Sequence, residues 1–247
     1  MKLPGKRAVI TGGSTGIGLA CAELFLAEGA ERVVLVGRHE AALHGVRERL
    51  GGRIVPVCAD VADLSEIGNL LATIEAQCAP VDILVVNAGI AEVCLFDEIT
   101  PDQFDRLSNT NFRGALFTIQ RIAPILSRGA SVVLTSSASR QKGLPDNLIY
   151  SATKAALSSL VRGLTVAFGD REIRVNCVAA GIVDTPMLSK MGPSTAEMMS
   201  KFLLPMIPAG RFGRADEIAK AILFLASSDS SYVRGHELVV DGGWTAI

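Results

Sequence analysis

Residues 11–18, TGGSTGIG, could serve either of two chemistries. The stretch GGSTG fits the pattern G-x-S-x-G, which presents the nucleophilic serine of α/β-hydrolases. The same residues form a glycine-rich turn between a predicted strand and a predicted helix, where free backbone N–H groups can bind a pyrophosphate. Only ten residues precede Thr11, so no earlier strand and loop can supply a hydrolase oxyanion donor. The position favours dinucleotide binding, although His236 could complete a triad and the spacing G-x-x-x-G-x-G is not the commoner G-x-G-x-x-G.

A second set of candidate residues lies downstream, in SVVLTSS and YSATK. YSATK places Tyr150 and Lys154 four residues apart on a predicted helix, so both side chains leave the same face about one turn apart. Ser137 closes an apolar run, and a serine at the carboxyl end of a parallel strand points into the crevice where such sheets bind ligands. Each residue alone is also compatible with a structural or solvated position. Their meaning depends on the elements that place them.

Short apolar runs alternate with longer segments of helical pattern along the whole chain. The runs are RAVIT, RVVLV, RIVPV, DILVV, SVVLTS, IRVNCV and ELVV. Nearly continuous apolar runs are typical of strands covered on both faces, and their alternation with helices predicts a parallel sheet with helices on both sides. No linker or internal repeat divides the chain. We therefore expect one α/β domain over residues 1–247.

The composition argues against several functional classes. A formal net charge of −1, with no run of like charge, predicts no surface for nucleic acid or a membrane. The amino terminus has no signal-peptide pattern and no run of about 18 apolar residues occurs, so we expect a cytoplasmic protein. A small molecule is the expected partner, and no metal site is predicted. Five widely spaced cysteines without C-x-x-C suit reduced, buried thiols: Cys21, Cys58, Cys78, Cys94 and Cys177.

Together these motifs resemble the short-chain dehydrogenase/reductase family, in its compact single-domain branch. The resemblance runs from about Gly5 to Gly243. It implies a Rossmann-type, doubly wound sheet of seven mainly parallel strands with helices on both faces, and hydride transfer between NAD(P) and a carbonyl or alcohol. The matching segments are TGGSTGIG at Thr11, DV at Asp60, NAG at Asn87, Asn111, Ser137, Tyr150-x-x-x-Lys154, AGIVDT at Ala180, and FLASSDSSYVRGHELVVDGG.

The resemblance implies catalytic roles for Asn111, Ser137, Tyr150 and Lys154. Tyr150 would be the general acid of reduction and the base of oxidation, with Lys154 and the oxidised nicotinamide favouring the phenolate. Ser137 would donate a hydrogen bond to the carbonyl oxygen as negative charge develops there. Asn111 would hold a water that joins the lysine to solvent for proton relay. A family member that binds dinucleotide as a sensor or scaffold is the alternative, but all four catalytic positions are intact.

The resemblance also implies a set of cofactor-binding residues. Asp60 would accept a hydrogen bond from adenine, and Thr185 with the backbone near Val183 would hold the carboxamide. Val86 and Ala180 depart from the family's NNAG and Pro-Gly, and the missing proline leaves the nicotinamide loop less restricted. The full set is Gly12, Ser14, Thr15, Gly16, Ile17, Gly18, Arg38, Asp60, Val61, Asn87, Ala88, Gly89, Tyr150, Lys154, Gly181, Val183 and Thr185.

The end of the second predicted strand, VLVGRHE, bears on the choice of cofactor. Dinucleotide folds place an acidic residue about 20 positions past the glycines for the ribose 2′-OH, or an arginine near there for a 2′-phosphate. Gly37 stands where NAD-specific members of the family carry aspartate, and Arg38 follows. We therefore expect NADP(H). NAD(H) stays possible, because Thr15 lacks the basic side chain of many NADP-binding relatives and Arg38 could be a solvated cation.

Residues from about 186 to 213 are a predicted substrate lid, since in the family this segment covers the substrate. It is rich in apolar residues, including Met187, Met191, Met198, Met199 and Phe202. We expect a bulky or hydrophobic ketone or secondary alcohol beneath it. A 3-oxoacyl thioester is the alternative substrate, and a buried helix or a subunit contact is the alternative for the segment.

The resemblance finally implies a homotetramer, since family members of this length are commonly tetrameric. The carboxyl-terminal DGGWTAI ends in apolar residues, Trp244 and Ile247, that a monomer would expose. The alternative is that this tail folds onto its own subunit.

Overall fold

The computed structural model describes residues 1–189 and 201–247 of the chain. The described strands, in chain order, are β1 (Arg7–Thr11), β2 (Arg32–Gly37), β3 (Ile54–Cys58), β4 (Val81–Val86), β5 (Leu126–Ser137), β6 (Arg174–Ala180), β7 (Val183–Asp184), β8 (Gly213–Arg214) and β9 (Glu237–Val240). The described helices are α1 (Gly16–Ala27), α2 (Glu40–Leu50), α3 (Leu64–Cys78), α4 (Pro101–Ser108), α5 (Gly114–Ile122), α6 (Leu148–Ala167), α7 (Pro186–Ser189) and α8 (Ala215–Ala226).

Among these residues the main sheet has seven strands in the order β3-β2-β1-β4-β5-β6-β9, and every neighbouring pair is parallel. Each apolar run of the sequence lies in one of these strands, so the predicted doubly wound, Rossmann-type sheet is confirmed. The two-residue strands β7 and β8 pair separately with each other. The order reverses between β1 and β4, where folds of this kind bind ligands at the carboxyl ends of the strands.

Helices cover both faces of the sheet. Successive residues of a strand point to opposite sides, so a strand can present apolar side chains to both layers of helices. On one side Ala8 and Ile10 of β1 belong to a core cluster with Phe25 of α1 and Ile222 of α8. On the other side Val9 belongs to a cluster built on α3, α5 and α6. The strands β1 to β6 are apolar at almost every position because each one contributes to both clusters, whereas β9 contributes only Leu238 and Val240, to the first.

Local signals explain where several helices begin. The Asp63 carboxylate accepts a hydrogen bond from Ser65 N at 2.8 Å at the start of α3. The Thr100 hydroxyl caps α4 by accepting from Gln103 N at 3.2 Å, and Pro101 begins that helix. A short π-helix, Asn109–Arg113, joins α4 to α5. Such single-turn insertions are found frequently at functional sites.

The predicted lid is described only in part. Residues 186–189 form α7 and Leu204–Met206 form a 3₁₀ turn, so the long irregular stretch expected from Pro186 to Gly213 contains short ordered pieces. Met191, Met198 and Met199 lie outside the described residues. No helix within residues 1–189 and 201–247 is long and apolar enough to span a membrane.

Candidate active site

Ser137, Tyr150 and Lys154 meet at the carboxyl end of the sheet. Ser137 is the last residue of β5, and Tyr150 and Lys154 lie one turn apart near the start of α6. The Lys154 Nζ atom lies 5.7 Å from the centre of the Tyr150 ring and donates to the carbonyl of Thr135 at 2.9 Å. Ser137 and Lys154 are buried and Tyr150 is half-buried. All three side chains line one cavity.

Burial changes the proton affinity of this site. It lowers the pKa of Lys154 to about 8, because an ammonium group is poorly solvated there. Burial also raises the pKa of Tyr150, and a hydrogen bond with the Ser137 side chain opposes that change. Near pH 7 the phenol is therefore protonated and Lys154 is still mainly cationic. The arrangement suits proton donation from Tyr150 to a bound oxygen.

A chain of buried and half-buried polar groups holds the backbone of α6 at Lys154. The Lys154 carbonyl accepts from the Ser136 hydroxyl at 2.9 Å. One turn further on, the Ser158 hydroxyl donates to the Glu237 carboxylate at 2.6 Å. Arg140 Nε donates to the same carboxylate oxygen at 2.6 Å. Because these groups come from β5, α6, β9 and the turn after β5, they join α6 to the edge of the sheet.

Asn111 is fully buried in the π-helix Asn109–Arg113. Its side-chain oxygen accepts from Ile90 N at 2.8 Å, and its Nδ2 atom donates to the Ile90 carbonyl at 3.0 Å and to the Thr153 hydroxyl at 3.2 Å. A Cβ added to Gly89 would lie 3.2 Å from Asn111 Oδ1 and 3.3 Å from Lys154 Nζ. Asn111 therefore connects the loop after β4 to α6 beside Lys154. Its role in a water relay stays a prediction.

The glycine-rich turn is a tight backbone structure. Gly12 and Gly16 have φ values of +66° and +55°, in the left-handed region that favours glycine. A Cβ at Gly18 would lie 2.1 Å from the Gly12 carbonyl oxygen, so only glycine fits where α1 packs against the turn. Gly18 thus shapes the turn through packing. The amino end of α1 carries no acidic residue and no side-chain cap, which leaves its N–H groups available to an anion.

Thr11, to which the sequence analysis gave no role, ties this turn to the loop after β4. Its hydroxyl oxygen accepts from Asn87 N at 2.9 Å and from Ala88 N at 3.0 Å. The Asn87 side chain returns bonds to the Thr11 and Gly12 carbonyls at 3.2 and 3.3 Å. Asn87 and Ala88 are therefore placed beside the glycine-rich turn by Thr11.

A cavity of about 280 Å³ lies over the glycine-rich turn. Most of the predicted cofactor-binding residues line it, namely Gly12, Ser14, Thr15, Gly16, Ile17, Arg38, Asp60, Val61, Asn87, Ala88, Gly89 and Thr185. Tyr150, Lys154, Gly181 and Val183 line the neighbouring cavity at Ser137, and Gly18 lines neither cavity. Ile17, Asn87 and Thr185 belong to both walls. The two cavities therefore adjoin, as an extended dinucleotide beside a substrate requires.

Arg38 and Asp60 face each other at the far end of the smaller cavity. Their closest side-chain atoms, Nη1 and Oδ2, lie 3.8 Å apart, and the Arg38 side chain is 50% exposed. The other Asp60 oxygen accepts from Ala62 N at 2.9 Å. Gly37 ends β2 next to them and supplies no carboxylate. Arg38 is thus in a long, solvated ion pair rather than a closed one.

The larger cavity, about 460 Å³, lies beside Ser137 and Tyr150. Besides Ser137, Tyr150 and Lys154, it is lined by residues of the loop after β4, the segment before α6, the end of β6 and the loop after it, the flanks of the predicted lid and the carboxyl-terminal tail. The apolar ones include Val93, Leu95, Leu144, Pro145, Ile182, Met187, Leu188, Phe202, Leu203 and Trp244, and the polar ones include Ser139, Asp146 and Asn147. Both described flanks of the predicted lid thus meet the cavity.

The carboxyl-terminal tail differs from the expectation. Trp244 is only 2% exposed and packs within its own subunit in a cluster with Ala138 and Ile207, so the expected exposed tryptophan is wrong. The Asp241 carboxylate accepts from Gly243 N at 2.9 Å and Thr245 N at 2.8 Å, which turns the tail back onto the chain. Ile247 is 77% exposed, as expected. Trp244 offers no support for a tetramer.

The cysteines bear out only part of the expectation. All five are free thiols, but Cys58 is exposed and Cys94 is half-buried, so the expectation of burial is wrong for these two. Cys21, Cys78 and Cys177 are buried, and burial raises their thiol pKa values, to about 11 for Cys78 and about 12 for Cys177.

The sequence and the fold correspond to those of known proteins. A family model described as enoyl-(acyl carrier protein) reductase matches residues 12–245. The 3-oxoacyl-[acyl-carrier-protein] reductase of Thermotoga maritima is 35% identical over 249 residues, covering 98% of this chain and 99% of the relative. L-xylulose reductase of Bos taurus is also 35% identical over 249 residues, covering 100% and 99%. A crystal structure of a short-chain type dehydrogenase/reductase from Mycobacterium marinum has a TM-score of 0.92 at 32% identity, covering 100% and 98%.

These matches extend over nearly the whole chain and place it among the Rossmann-type oxidoreductases. The chain belongs to the short-chain dehydrogenase/reductase family. Enzymes of that family use nicotinamide cofactors, NAD(H) or NADP(H).

Proposed function

We propose that the protein is an NADP(H)-dependent oxidoreductase that interconverts a carbonyl compound and a secondary alcohol. The observation that carries this proposal is the convergence of Ser137, Tyr150 and Lys154 on a cavity that adjoins the glycine-rich turn. The turn fits a dinucleotide for two reasons. Its glycines carry no side chain that would keep a ligand away from the backbone, and the uncapped amino end of α1 favours binding of a pyrophosphate. A bound nicotinamide supplies or accepts the hydride.

The side chains of the protein account for the proton and the developing charge. The Ser137 oxygen accepts from Ser139 N at 3.2 Å, so its own O–H can point to the substrate oxygen. Tyr150 donates its proton to that oxygen in reduction. The cationic Lys154 nearby stabilises the phenolate that remains. In this proposal the Asn111 side chain holds the adjoining loop, and the predicted relay water joins Lys154 to solvent.

Three finer features belong to the same proposal. Arg38 at the end of the smaller cavity, with no carboxylate at Gly37, favours a 2′-phosphate and hence NADP(H) over NAD(H). The apolar residues Met187, Leu188 and Phe202, on the described flanks of the predicted lid, favour a bulky or hydrophobic ketone. A homotetramer, as expected from the family, can be measured by light scattering.

A 3-oxoacyl thioester is the second candidate substrate. It is favoured by the likeness to a 3-oxoacyl-[acyl-carrier-protein] reductase and by the match to a model named for an acyl-carrier-protein reductase. Reduction of a 3-oxoacyl thioester in preference to alkyl ketones would select this candidate.

The test is oxidation of NADPH, followed at 340 nm with a panel of ketones. Tyr150→Phe should keep the cofactor affinity and lower turnover by several orders of magnitude, since it removes the proton donor alone. Tyr232→Phe is the matched control, because Tyr232 is fully exposed and is the only other tyrosine in the chain. If Tyr150→Phe keeps more than about a tenth of wild-type turnover, the assigned chemistry is wrong.

A further inference from the structure

The larger cavity contains a charge that the proposed chemistry does not use. Among the described residues that line it, two carry a charge near pH 7, Asp146 and Lys154. Lys154 stabilises the phenolate of Tyr150 in the proposed reaction, whereas Asp146 has no part in it. Ligand cavities typically combine an apolar lining with a few polar groups that fix the orientation of the ligand. In this mostly apolar cavity, Asp146 is suited to that role.

The Asp146 carboxylate has room for a hydrogen-bond donor. Within residues 1–189 and 201–247 it accepts no hydrogen bond and forms no ion pair, and its oxygens are not among the enclosed atoms that lack a partner. Both oxygens are therefore accessible to a ligand, although the residue is half-buried. Glu92, a half-buried carboxylate in the loop after β4, instead accepts two hydrogen bonds from Arg106, at 3.1 and 2.9 Å. Asp146 thus retains its full capacity as an acceptor.

The backbone that carries Asp146 is fixed. Asn147 N donates to the Leu144 carbonyl at 3.2 Å, which closes a turn with Pro145 and Asp146 at its centre. The Asp146 carbonyl accepts from Cys94 N at 2.9 Å, which joins this turn to the loop after β4. The restricted φ of Pro145 stiffens the turn further. The carboxylate can therefore adopt only the positions that its own side-chain torsions allow, and a ligand that binds it has little else to order.

Asp146 and the proposed proton donor share the cavity. Asp146 precedes Tyr150 by four residues, and both line the same space of about 460 Å³. A carboxylate among mainly apolar groups attracts a cation and repels an anion more strongly than it would in water, because the effective dielectric constant is lower. A substrate whose carbonyl oxygen lies at Tyr150 is therefore favoured when its other end is positively charged and disfavoured when that end is negatively charged.

We infer that Asp146 is a specificity-determining residue that selects carbonyl substrates bearing an ammonium group and rejects those bearing a carboxylate. Aliphatic amino ketones represent the selected class. The inference rests on the proposed reduction of carbonyl compounds and names a substrate class for that site. It agrees with the apolar lining, which would hold the hydrocarbon between the ketone and the ammonium group.

The kinetic test uses three methyl ketones of similar length that differ in charge at pH 7. The cation is 5-(diethylamino)-2-pentanone, the neutral compound is 2-heptanone and the anion is 6-oxoheptanoate. Asp146→Asn keeps the size of the side chain and removes its charge. In this variant kcat/KM for the cation relative to 2-heptanone should fall about tenfold, the low end for a hydrogen bond to a charged group, because Asp146 is half-buried. The same ratio for the anion should rise.

Two further variants make the result specific to this position. Asp146→Glu keeps the charge and should retain most of the wild-type preference for the cation. Asp97→Asn is the matched control, because it removes the same charge from the exposed 3₁₀ turn Phe96–Glu98, next to the cavity-lining residue Leu95. Asp97 itself does not line the cavity, so both ratios should be those of the wild type. Unchanged ratios in Asp146→Asn would overturn the inference.

Binding without turnover separates this inference from the proposed reaction. With NADP⁺ present the ketones cannot be reduced, and isothermal titration calorimetry gives their Kd values. The wild type should bind 5-(diethylamino)-2-pentanone more tightly than 6-oxoheptanoate, and Asp146→Asn should lose this difference. Equal affinities in the wild type would refute the role of Asp146 even if Asp146→Asn does not fold. Selective binding of the cation by a protein that reduces none of the ketones would instead refute the proposed reaction and support the contact at Asp146.

Discussion

The Thr11 hydroxyl offers a direct test of how the floor of the proposed cofactor cavity is built. Thr11→Val keeps the shape of the side chain but leaves Asn87 N and Ala88 N without their acceptor at 2.9 and 3.0 Å. An unpaired buried N–H costs about 1–3 kcal/mol. Because Asn87 and Ala88 are half-buried, water can recover part of that cost, and we expect a loss of about 2–4 kcal/mol in the free energy of unfolding.

Urea unfolding of the wild type, Thr11→Val and Thr11→Ser measures this effect. Serine retains the hydroxyl, so Thr11→Ser should lose far less than the valine variant. The loop that carries Asn87 and Ala88 also lines the cofactor cavity, so the Kd for NADPH, measured by nucleotide fluorescence, should rise in Thr11→Val. If the valine variant lies within about 1 kcal/mol of the serine variant, Thr11 does not hold the two loops together as its hydrogen bonds indicate.

Three further results are expected. Burial lowers the pKa of Lys154 to about 8 from 10.5, so between pH 8 and 10 the unfolded chain binds more protons there. In that range the free energy of unfolding of the wild type, measured by urea titration, should therefore rise with pH relative to that of Lys154→Met. If the two proteins show the same dependence of this free energy on pH, the lowered pKa of Lys154 is wrong. Arg38→Ala should weaken NADPH binding more than NADH binding in fluorescence titrations, whereas Arg49→Ala, paired with Glu23 on the surface, should not alter the preference. Phe202→Ala should raise KM for large ketones more than for acetone. Phe96→Ala is the control, because Phe96 is also exposed but does not line the cavity. An equal rise in KM for all ketones would refute the proposal that this segment covers the substrate.

The sheet could be predicted from the sequence because its physical cause is local. A strand buried on both faces must be apolar at nearly every position, and all seven such runs lie in the parallel sheet. The same reasoning placed Ser137 at a strand end and Tyr150 and Lys154 one turn apart on a helix. Spacing alone determines those positions once the element type is known.

Other features depend on contacts between distant residues, and spacing carries no signal for them. Thr11 acquires its role only because β4 lies beside β1 and brings Asn87 to its hydroxyl. Trp244 was expected to be exposed in a monomer because it lies in an apolar ending near the carboxyl terminus, whereas the turn made by Asp241 returns it to the cavity. The sequence DGG before Trp244 was the available signal, since paired glycines after an aspartate favour a sharp turn.

The π-helix Asn109–Arg113 sets the rotational phase between α4 and α5. A π-turn contains one residue more than the α-turn it replaces, and one residue corresponds to about 100° around a helix. Deleting one residue there would let the chain continue as an ordinary α-helix, with better backbone bonding. The side chains on one side of the deletion would then be turned by about 100° relative to those on the other. Asn111 could no longer face Ile90 while Leu107 stays in its buried position. At this position the chain therefore retains a less regular helix so that an amide from its middle reaches the neighbouring loop.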